Sequence, residues 1–393
     1  MKLSLITILS FVHLKEESKT RNMPVHTVMM DFHIKYNNSQ QNAKLIKEQN
    51  ALVEEIRNIL DKFIPNLKFI QTLELDDGIA AIYVGVKSSM ITIRCMNPGL
   101  ITINVEYLKN DSDEELLPFD TAGKIESLVK GLTNSDSSHK YPPFKRDPHY
   151  VRYLVTSDER ILEYDIDSVV FDETSPYQRV QIVHSKSFGN LLILDDLQNL
   201  SERDLIYTET LMQRGKEHYK DKEIVILGGG DGGLLYELLK EKPKFVTMLE
   251  LDEVVIKACR EHLRGCCFDV LDKYEGDNYK IVLGDCVKSL NEMIANGTKV
   301  DYVFGDLTDI PVSTTPQGEV WDFIRLILNT SFQVLKPNGK YMTHGNGISS
   351  PQSLKMFEEQ LKNLNTPVEF VTDRAFVPSF LEDWVFYQVW SKK

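Results

Sequence analysis

Residues 223–239 read EIVILGGGDGGLLYELL, and this stretch decides the fold. Ile224, Val225, Ile226 and Leu227 form a continuous apolar run, the pattern of a strand buried on both faces. Gly228-Gly229-Gly230-Asp231-Gly232-Gly233 then satisfies G-x-G-x-x-G, and Leu234, Leu235, Leu238 and Leu239 share one face of a following helix. A strand, a glycine turn and a helix in that order bring a nucleotide-like ligand to a helix N-terminus. Outward from this point the rhythm repeats. Strands are expected at 245–250, 279–283, 302–305 and 340–343, with helices between several of them, one at about 253–263. A last strand is expected at 384–390. Strands alternating with helices predict an α/β fold built on a Rossmann-like, doubly wound sheet over residues 201–393.

Upstream the pattern differs. Ile91, Ile93 and Cys95 alternate with Thr92, Arg94 and Met96, and Ile101, Ile103 and Val105 alternate with Thr102, Asn104 and Glu106. Period two with one apolar face predicts half-buried antiparallel strands, and Asn97-Pro98-Gly99 between them is a turn signal. Helix-forming composition at about 42–60 and at 121–132 completes an N-terminal α+β domain over residues 23–133. Residues 134–148 are polar, contain Pro142-Pro143, and read as a linker. Short strands and turn residues over 149–200 read as a β-hairpin subdomain. Residues 1–22 read as an N-terminal extension. Its apolar run, Leu3 to Val12, has the length of a signal-peptide core but is followed by polar residues rather than a small-residue cleavage site.

Composition narrows the function. The chain has 393 residues, enough for two or three domains, and a net charge of −13. That charge suits a cationic partner and disfavours general binding to a phosphate backbone. No apolar run reaches the roughly 18–20 residues that span a bilayer. The five cysteines, Cys95, Cys259, Cys266, Cys267 and Cys286, form no CxxC pair and no metal-ligand spacing. They read as reduced, in a cytoplasmic protein without a metal site.

Acidic residues stand at four successive strand ends. Asp231 lies inside the glycine turn, where a carboxylate repels a pyrophosphate and attracts an amine or a sulfonium; capping of the next helix is the plain alternative. Glu250 ends the second strand, placed to accept hydrogen bonds from both hydroxyls of a ribose, and Asp252 beside it suits a helix cap. Asp285, in Gly284-Asp285-Cys286, follows the third strand at the level of an adenine, or else stabilises a turn. Asp306 ends the fourth, with Asp309 three residues on, and can hold an ammonium and take its proton. Mutual repulsion and burial would raise one pKa of such a pair. A cleft with this charge is ill-suited to NAD or a phosphate ester. His149, His184 and His344 are scattered and read as structural, and Trp384 and Trp390 as core or channel wall.

At this point several motifs align with one family. Pro176-Tyr177-Gln178, His184-Ser185-Lys186, Gly189-Asn190-Leu191-Leu192-Ile193-Leu194, the glycine turn, Leu249-Glu250-Leu251-Asp252 and Gly305-Asp306-Leu307-Thr308 together resemble the aminopropyltransferases, the spermidine and spermine synthases. The resemblance runs from about residue 151 to the C-terminus. It implies the class I methyltransferase-like form of the sheet. Tyr207-Thr208, Asp306-Leu307-Thr308, Tyr164-Asp165-Ile166-Asp167 and Trp384-Val385-Phe386-Tyr387 resemble the spermine-forming branch in animals, as does an extra N-terminal α+β domain. In that branch the domain resembles S-adenosylmethionine decarboxylase and makes the dimer contact, so a homodimer through residues 23–133 is implied. Three positions depart from the family. Phe380 stands where Tyr is typical, His344 where Gln is usual, and Asp195-Asp196-Leu197 is closer to the spermidine-forming branch.

The resemblance implies transfer of an aminopropyl group from decarboxylated S-adenosylmethionine to spermidine, giving spermine and methylthioadenosine without a cofactor or metal. Gln178, Glu250, Asp285 and Cys286 are implied to bind the nucleoside and Asp231 the aminopropyl ammonium. Asp306, with Asp231, is implied to carry the chemistry, and Tyr207 and Glu382 to line the polyamine channel. Putrescine as acceptor, a methyltransferase using intact S-adenosylmethionine, a dehydrogenase and a noncatalytic paralogue are the alternatives. Asp231 disfavours the methyltransferase, because it repels the methionine carboxylate. The joint presence of Asp231, Glu250 and Asp306 disfavours the noncatalytic paralogue.

Overall fold

The computed structural model describes residues 24–34, 42–109, 113–147, 152–156, 160–307 and 318–392. The expected extension 1–22, His149, Thr308 and Asp309 lie outside the described residues. The chain divides into two compact units, Met1–His149 and Tyr150–Lys393.

The first unit is an antiparallel sheet packed against two helices. Its strands are β1 (Val25–His33), β2 (Lys68–Leu75), β3 (Gly78–Val84), β4 (Met90–Met96), β5 (Leu100–Leu108), β6 (Ser137–Lys140) and β7 (Phe144–Arg146). The order is β2-β3-β4-β5-β1-β6, and β7 also pairs with β1. The alternating residues of β4 and β5 behave as their period requires: Ile91, Ile93, Ile101, Ile103 and Val105 are buried. They pack against Val53, Ile56 and Leu60 of α1 (Asn42–Leu60) and Ile125 and Val129 of α2 (Phe119–Thr133). The stretch 134–148 departs from its reading as a linker, because β6 and β7 both pair antiparallel with β1. Strand pairing uses backbone groups, so polar side chains at the border of a sheet conceal it from a hydrophobic pattern.

The second unit begins with antiparallel hairpins. β8 (Tyr153–Val155) pairs with β9 (Ile161–Glu163). β10 (Ile166–Thr174), β11 (Arg179–Ser185), β12 (Gly189–Leu194) and β13 (Leu197–Ser201) form a four-stranded sheet in that order. After α3 (Leu205–Leu211) comes the doubly wound part: β14 (Glu223–Gly228), α4 (Gly233–Lys240), β15 (Phe245–Glu250), α5 (Glu253–His262), α6 (Arg264–Cys267), β16 (Glu275–Gly276), β17 (Tyr279–Leu283), α7 (Cys286–Ala295), β18 (Val300–Asp306), α8 (Gly318–Val334), β19 (Leu335–Gly347), α9 (Pro351–Lys362), β20 (Val368–Val377) and β21 (Glu382–Ser391).

The sheet order is β16-β17-β15-β14-β18-β19-β21-β20. β17, β15, β14, β18 and β19 run parallel, while β21 and β20 return antiparallel at the far edge. This is the expected Rossmann-like α/β sheet, now with its strand directions. Ile224 to Leu227 are buried because the helices cover both faces of the central strand. No helix among the described residues is long and apolar enough to cross a membrane.

Phe304 of β18 is fully buried, with its ring 5.8 Å from that of Tyr219. Phe304→Ala is expected to lower the stability of this unit by about 3–5 kcal/mol in urea unfolding. A loss below about 1 kcal/mol would contradict its place in the core.

Candidate active site

β14 is the switch point of the sheet. The chain passes from β14 to β15 and β17 on one side, and to β18, β19 and β21 on the other. Loops leaving in opposite directions open a crevice at the carboxyl ends of the strands. A cavity of ≈ 680 Å³ lies there. The loops after β14, β15, β17 and β18 form its floor. The β12–β13 hairpin and the C-terminal strands supply walls.

Glycine is needed at two points of the floor. Gly228 has φ +78°, and a Cβ there would stand 2.3 Å from the Asp306 carbonyl oxygen. A Cβ at Gly230 would stand 2.8 Å from Oε2 of Glu250. The glycine turn therefore lets the backbone approach β18 on one side and a carboxylate on the other.

Gln178, Tyr207, Asp231, Glu250, Asp285, Cys286 and Asp306 all line this one cavity. Six lining residues carry carboxylates, adding Asp195 and Asp252 to Asp231, Glu250, Asp285 and Asp306, and none is lysine or arginine. Asp231 and Asp306 reach water through the cavity and are otherwise enclosed by protein. Burial raises the pKa of Asp231, opposed by the Gly233 N–H, which donates to Oδ1 at 2.7 Å. The N-cap of α4 is Gly232, so Asp231 is not the capping residue; one of its oxygens binds the first N–H of the helix, and the residue lines the cavity. Asp306 is raised well above the carboxylate range by burial and by the charges of Asp231 and Glu250. The Tyr207 hydroxyl donates to its Oδ1 at 3.4 Å and opposes the shift. Tyr207 is itself raised by burial and by Asp306 and Asp231.

Glu250 is pushed up to about 7, chiefly by burial, while the Asp252 N–H donates to Oε1 at 2.8 Å. Asp252 caps α5 by accepting from the Val254 N–H at 3.0 Å, and its other oxygen accepts from Gln178 Nε2 at 3.1 Å and Ser175 Oγ at 2.7 Å. Gln178 is thereby carried from the hairpin sheet onto the rim beside Glu250. Asp285 caps α7 through the Val287 N–H at 2.8 Å and also borders the cavity. The Cys286 thiol is raised to about 11 by burial.

Glu382 does not join this group and is absent from the cavity lining. Its Oε1 accepts from the Ser349 N–H at 2.9 Å and from the Ser349 hydroxyl. A Cβ on Gly347 would lie 2.3 Å from the Glu382 Cδ, so the glycine leaves room for the carboxylate to turn into the 347–349 turn.

Trp384, read as core or channel wall, does line the cavity, and other wall residues join it. His344, read as structural, lines the cavity, with Nε2 2.9 Å from the Leu307 carbonyl oxygen and its ring 5.8 Å from that of Tyr207. Phe380 stands edge-on to Tyr207 at 6.0 Å and to Trp384 at 4.7 Å. Gln198 and Asn199 come from β13. His344 directly follows the strand expected at 340–343, and Phe380 and His344 stand out in the sequence as departures from the family and Trp384 as core or channel wall; nothing local marks Gln198 and Asn199. Among the described residues no group of three or more His, Cys, Asp or Glu side chains could hold a metal ion.

Comparison with known proteins matches this half of the chain. Residues 204–393 match the family model of the spermine/spermidine synthase domain, and 153–202 that of the spermidine synthase tetramerisation domain. A polyamine aminopropyltransferase of Sulfolobus acidocaldarius is 30% identical over 228 residues, 56% of this chain and 71% of the relative. Thermospermine synthase ACAULIS5 of Arabidopsis thaliana is 27% identical over 246 residues, 61% of this chain and 69% of the relative. A spermidine synthase crystallised with the transition-state analogue AdoDATO shares the fold, with a TM-score of 0.53 at 21% identity over 63% of this chain and 81% of that one.

Raised carboxyl pKa values make the native state hold protons that the unfolded chain releases. For Glu250 the window runs from its ordinary 4.5 to about 7, and ligand-free stability falls as pH rises through it. Asp231 and Asp306 act in the same sense. Glu250→Gln is expected to flatten the fall and to gain more over the parent at pH 8 than at pH 4. Thermal unfolding across that range checks it, and parallel curves would contradict the assignment.

Proposed function

The chain belongs to the spermine/spermidine synthase family, the polyamine aminopropyltransferases, and on that premise we propose that it transfers an aminopropyl group from decarboxylated S-adenosylmethionine to spermidine, giving spermine and methylthioadenosine. The observation that carries the reading is the cavity itself, with its six carboxylates and no cationic side chain at the switch point of the sheet. Both substrates are small cations, and each neutralises part of a charge that the cavity cannot neutralise internally.

The β15 and β17 side holds the nucleoside. Glu250 accepts from the ribose hydroxyls and Asp285 from the adenine amine, beside Cys286, and Gln178 closes the rim. Asp231 takes the ammonium of the aminopropyl group. The acceptor lies on the β18–β21 side along Tyr207. Its amine nitrogen attacks the aminopropyl carbon attached to sulfur. The carbon–sulfur bond breaks with its electron pair going to sulfur, and methylthioadenosine leaves neutral. The proton shed by the attacking amine passes to Asp306. A protonated amine has no lone pair to attack with, so removal of that proton is the central requirement. A base with a raised pKa suits the task near neutral pH. Orientation of two cations supplies the rest.

Spermidine as acceptor is favoured by Tyr207-Thr208, which resembles the spermine-forming branch where spermidine synthases typically carry Tyr-Gln, and which lines the cavity. Putrescine is favoured by Asp195, whose turn resembles the spermidine-forming branch and which also lines the cavity. Incubation with the decarboxylated donor and either amine, read by product mass and regiochemistry, decides between them. A cytoplasmic setting and a homodimer through residues 23–133 belong to the same reading. Sedimentation of the intact chain tests the assembly, a tetramer pointing instead to residues 153–202.

Asp306→Asn is expected to lower kcat by about 10²–10⁴-fold while methylthioadenosine affinity stays within about threefold. Equal loss of both would make Asp306 structural. The wild-type protein is expected to bind the decarboxylated nucleoside more tightly than intact S-adenosylmethionine, and Asp231→Asn to lose most of that preference. Calorimetry reads both, and tighter binding of the carboxylated form would support a methyltransferase instead.

A further inference from the structure

One wall of the cavity is held by a buried cluster that does not itself touch the cavity. Phe380 sits in the turn between β20 and β21, and the residue before it, Ser379, is fully buried. Four hydrogen bonds converge on Ser379. Its N–H donates to Asp204 Oδ1 at 2.9 Å and its hydroxyl to Asp204 Oδ2. Its hydroxyl accepts from Gln198 Nε2 at 2.5 Å, and its carbonyl accepts from the Tyr164 hydroxyl at 2.6 Å. Asp204 and Tyr164 are only 1% and 4% exposed. Asp204 Oδ2 also accepts from the Ser201 N–H at 2.7 Å.

The cluster joins three elements far apart in sequence. Tyr164 comes from the hairpin region just before β10. Asp204 directly precedes α3, the helix that carries Tyr207 in its first turn. Ser379 belongs to the turn that presents Phe380. Gln198 and Phe380 line the cavity, as does Tyr207, whereas Tyr164, Asp204 and Ser379 do not. The Phe380 ring meets Tyr207 at 6.0 Å and 70°, on the β18–β21 side, away from Glu250 and Asp285.

We propose that Tyr164, Asp204 and Ser379 are positioning residues that hold Phe380 against Tyr207 and thereby set affinity and selectivity for the acceptor amine. The inference rests on the aminopropyltransferase reading for the identity of that acceptor. It gives the hairpin region a part in substrate choice, through a tyrosine 215 positions from the turn it holds. A single buried hydrogen bond lost through Tyr164→Phe frees the turn without changing charge or volume to any extent.

The test is steady-state kinetics of Tyr164→Phe, Phe380→Ala and the double variant in the intact chain, with methylthioadenosine affinity measured alongside. Tyr164→Phe is expected to raise the acceptor KM about 3–10-fold, the range that one such hydrogen bond allows. The donor KM and methylthioadenosine Kd should stay within about twofold. In the Phe380→Ala background the same change should add less than about twofold, because the residue it acts through is gone. Ser379→Ala, which removes two of the hydrogen bonds, should reproduce the acceptor effect. Independent effects of the two changes, equal weakening of the nucleoside, or an unchanged acceptor KM in both Tyr164→Phe and Ser379→Ala would overturn the proposal. Wild-type protein that transfers to no amine would instead overturn the functional reading. Spermidine binding to the methylthioadenosine-loaded protein would then read the same coupling without turnover.

Discussion

Asp231, Glu250 and Asp306 converge at the end of the central strand with like charge and no lysine or arginine among their cavity neighbours. Each is raised by burial, and the charges of Asp231 and Glu250 further raise Asp306. Such a group opposes folding when ionised. The protein offsets it with neutral donors: the Gly233 N–H for Asp231, the Asp252 N–H for Glu250 and the Tyr207 hydroxyl for Asp306. These donors stabilise the carboxylates without cancelling their charge. The field left over draws a cation, and a counter-ion supplied by a side chain would abolish it.

The rest of the second unit serves that arrangement. Strand ends on both sides of β14 place the acids on one edge, so their spacing follows from the sheet and not from flexible loops. Glycines at 228 and 230 remove the side chains that would push Asp306 and Glu250 away. Asp252 has a double part. It caps α5 and holds Gln178 and Ser175, and so ties the hairpin sheet to the β15 side of the cavity. The Asp204–Ser379 cluster does the corresponding work on the other side. The two halves of the cavity are thus braced by different buried carboxylates, each accepting from a neighbouring backbone N–H and from a segment distant in sequence.

Long-range pairing hid two features from the sequence pattern, the strands at 137–146 and the place of His344. Residues 137–146 are polar and proline-bearing, yet they pair with β1, because edge pairing asks only for extended backbone and a neighbour. β20 (Val368–Val377) escaped notice because it is an edge strand whose less exposed positions carry Asp373 among Val368, Phe370, Ala375 and Val377, which interrupts the apolar alternation. Glu382, implied by resemblance to line the channel, is held by Ser349 beside Gly347 and is not among the residues lining the cavity. His344 looked isolated in sequence, and only the parallel pairing of β18 with β19 brings it beside Leu307.

The amino-acid sequence by itself determined the strand–glycine turn–helix unit, the order of the strands along the chain and the acid at each strand end. Those features are local. An apolar period sets the element, glycine sets the turn, and a residue at the end of a parallel strand has to stand on the carboxyl edge of its sheet. Tertiary structure alone decided which strands neighbour one another, how deeply the acids are enclosed, and which side chains wall the cavity opposite them. Gln198, His344, Phe380 and Trp384 meet there across as many as 186 positions of chain. Contacts of that kind arise from packing of whole elements, for which no short stretch of sequence carries a period.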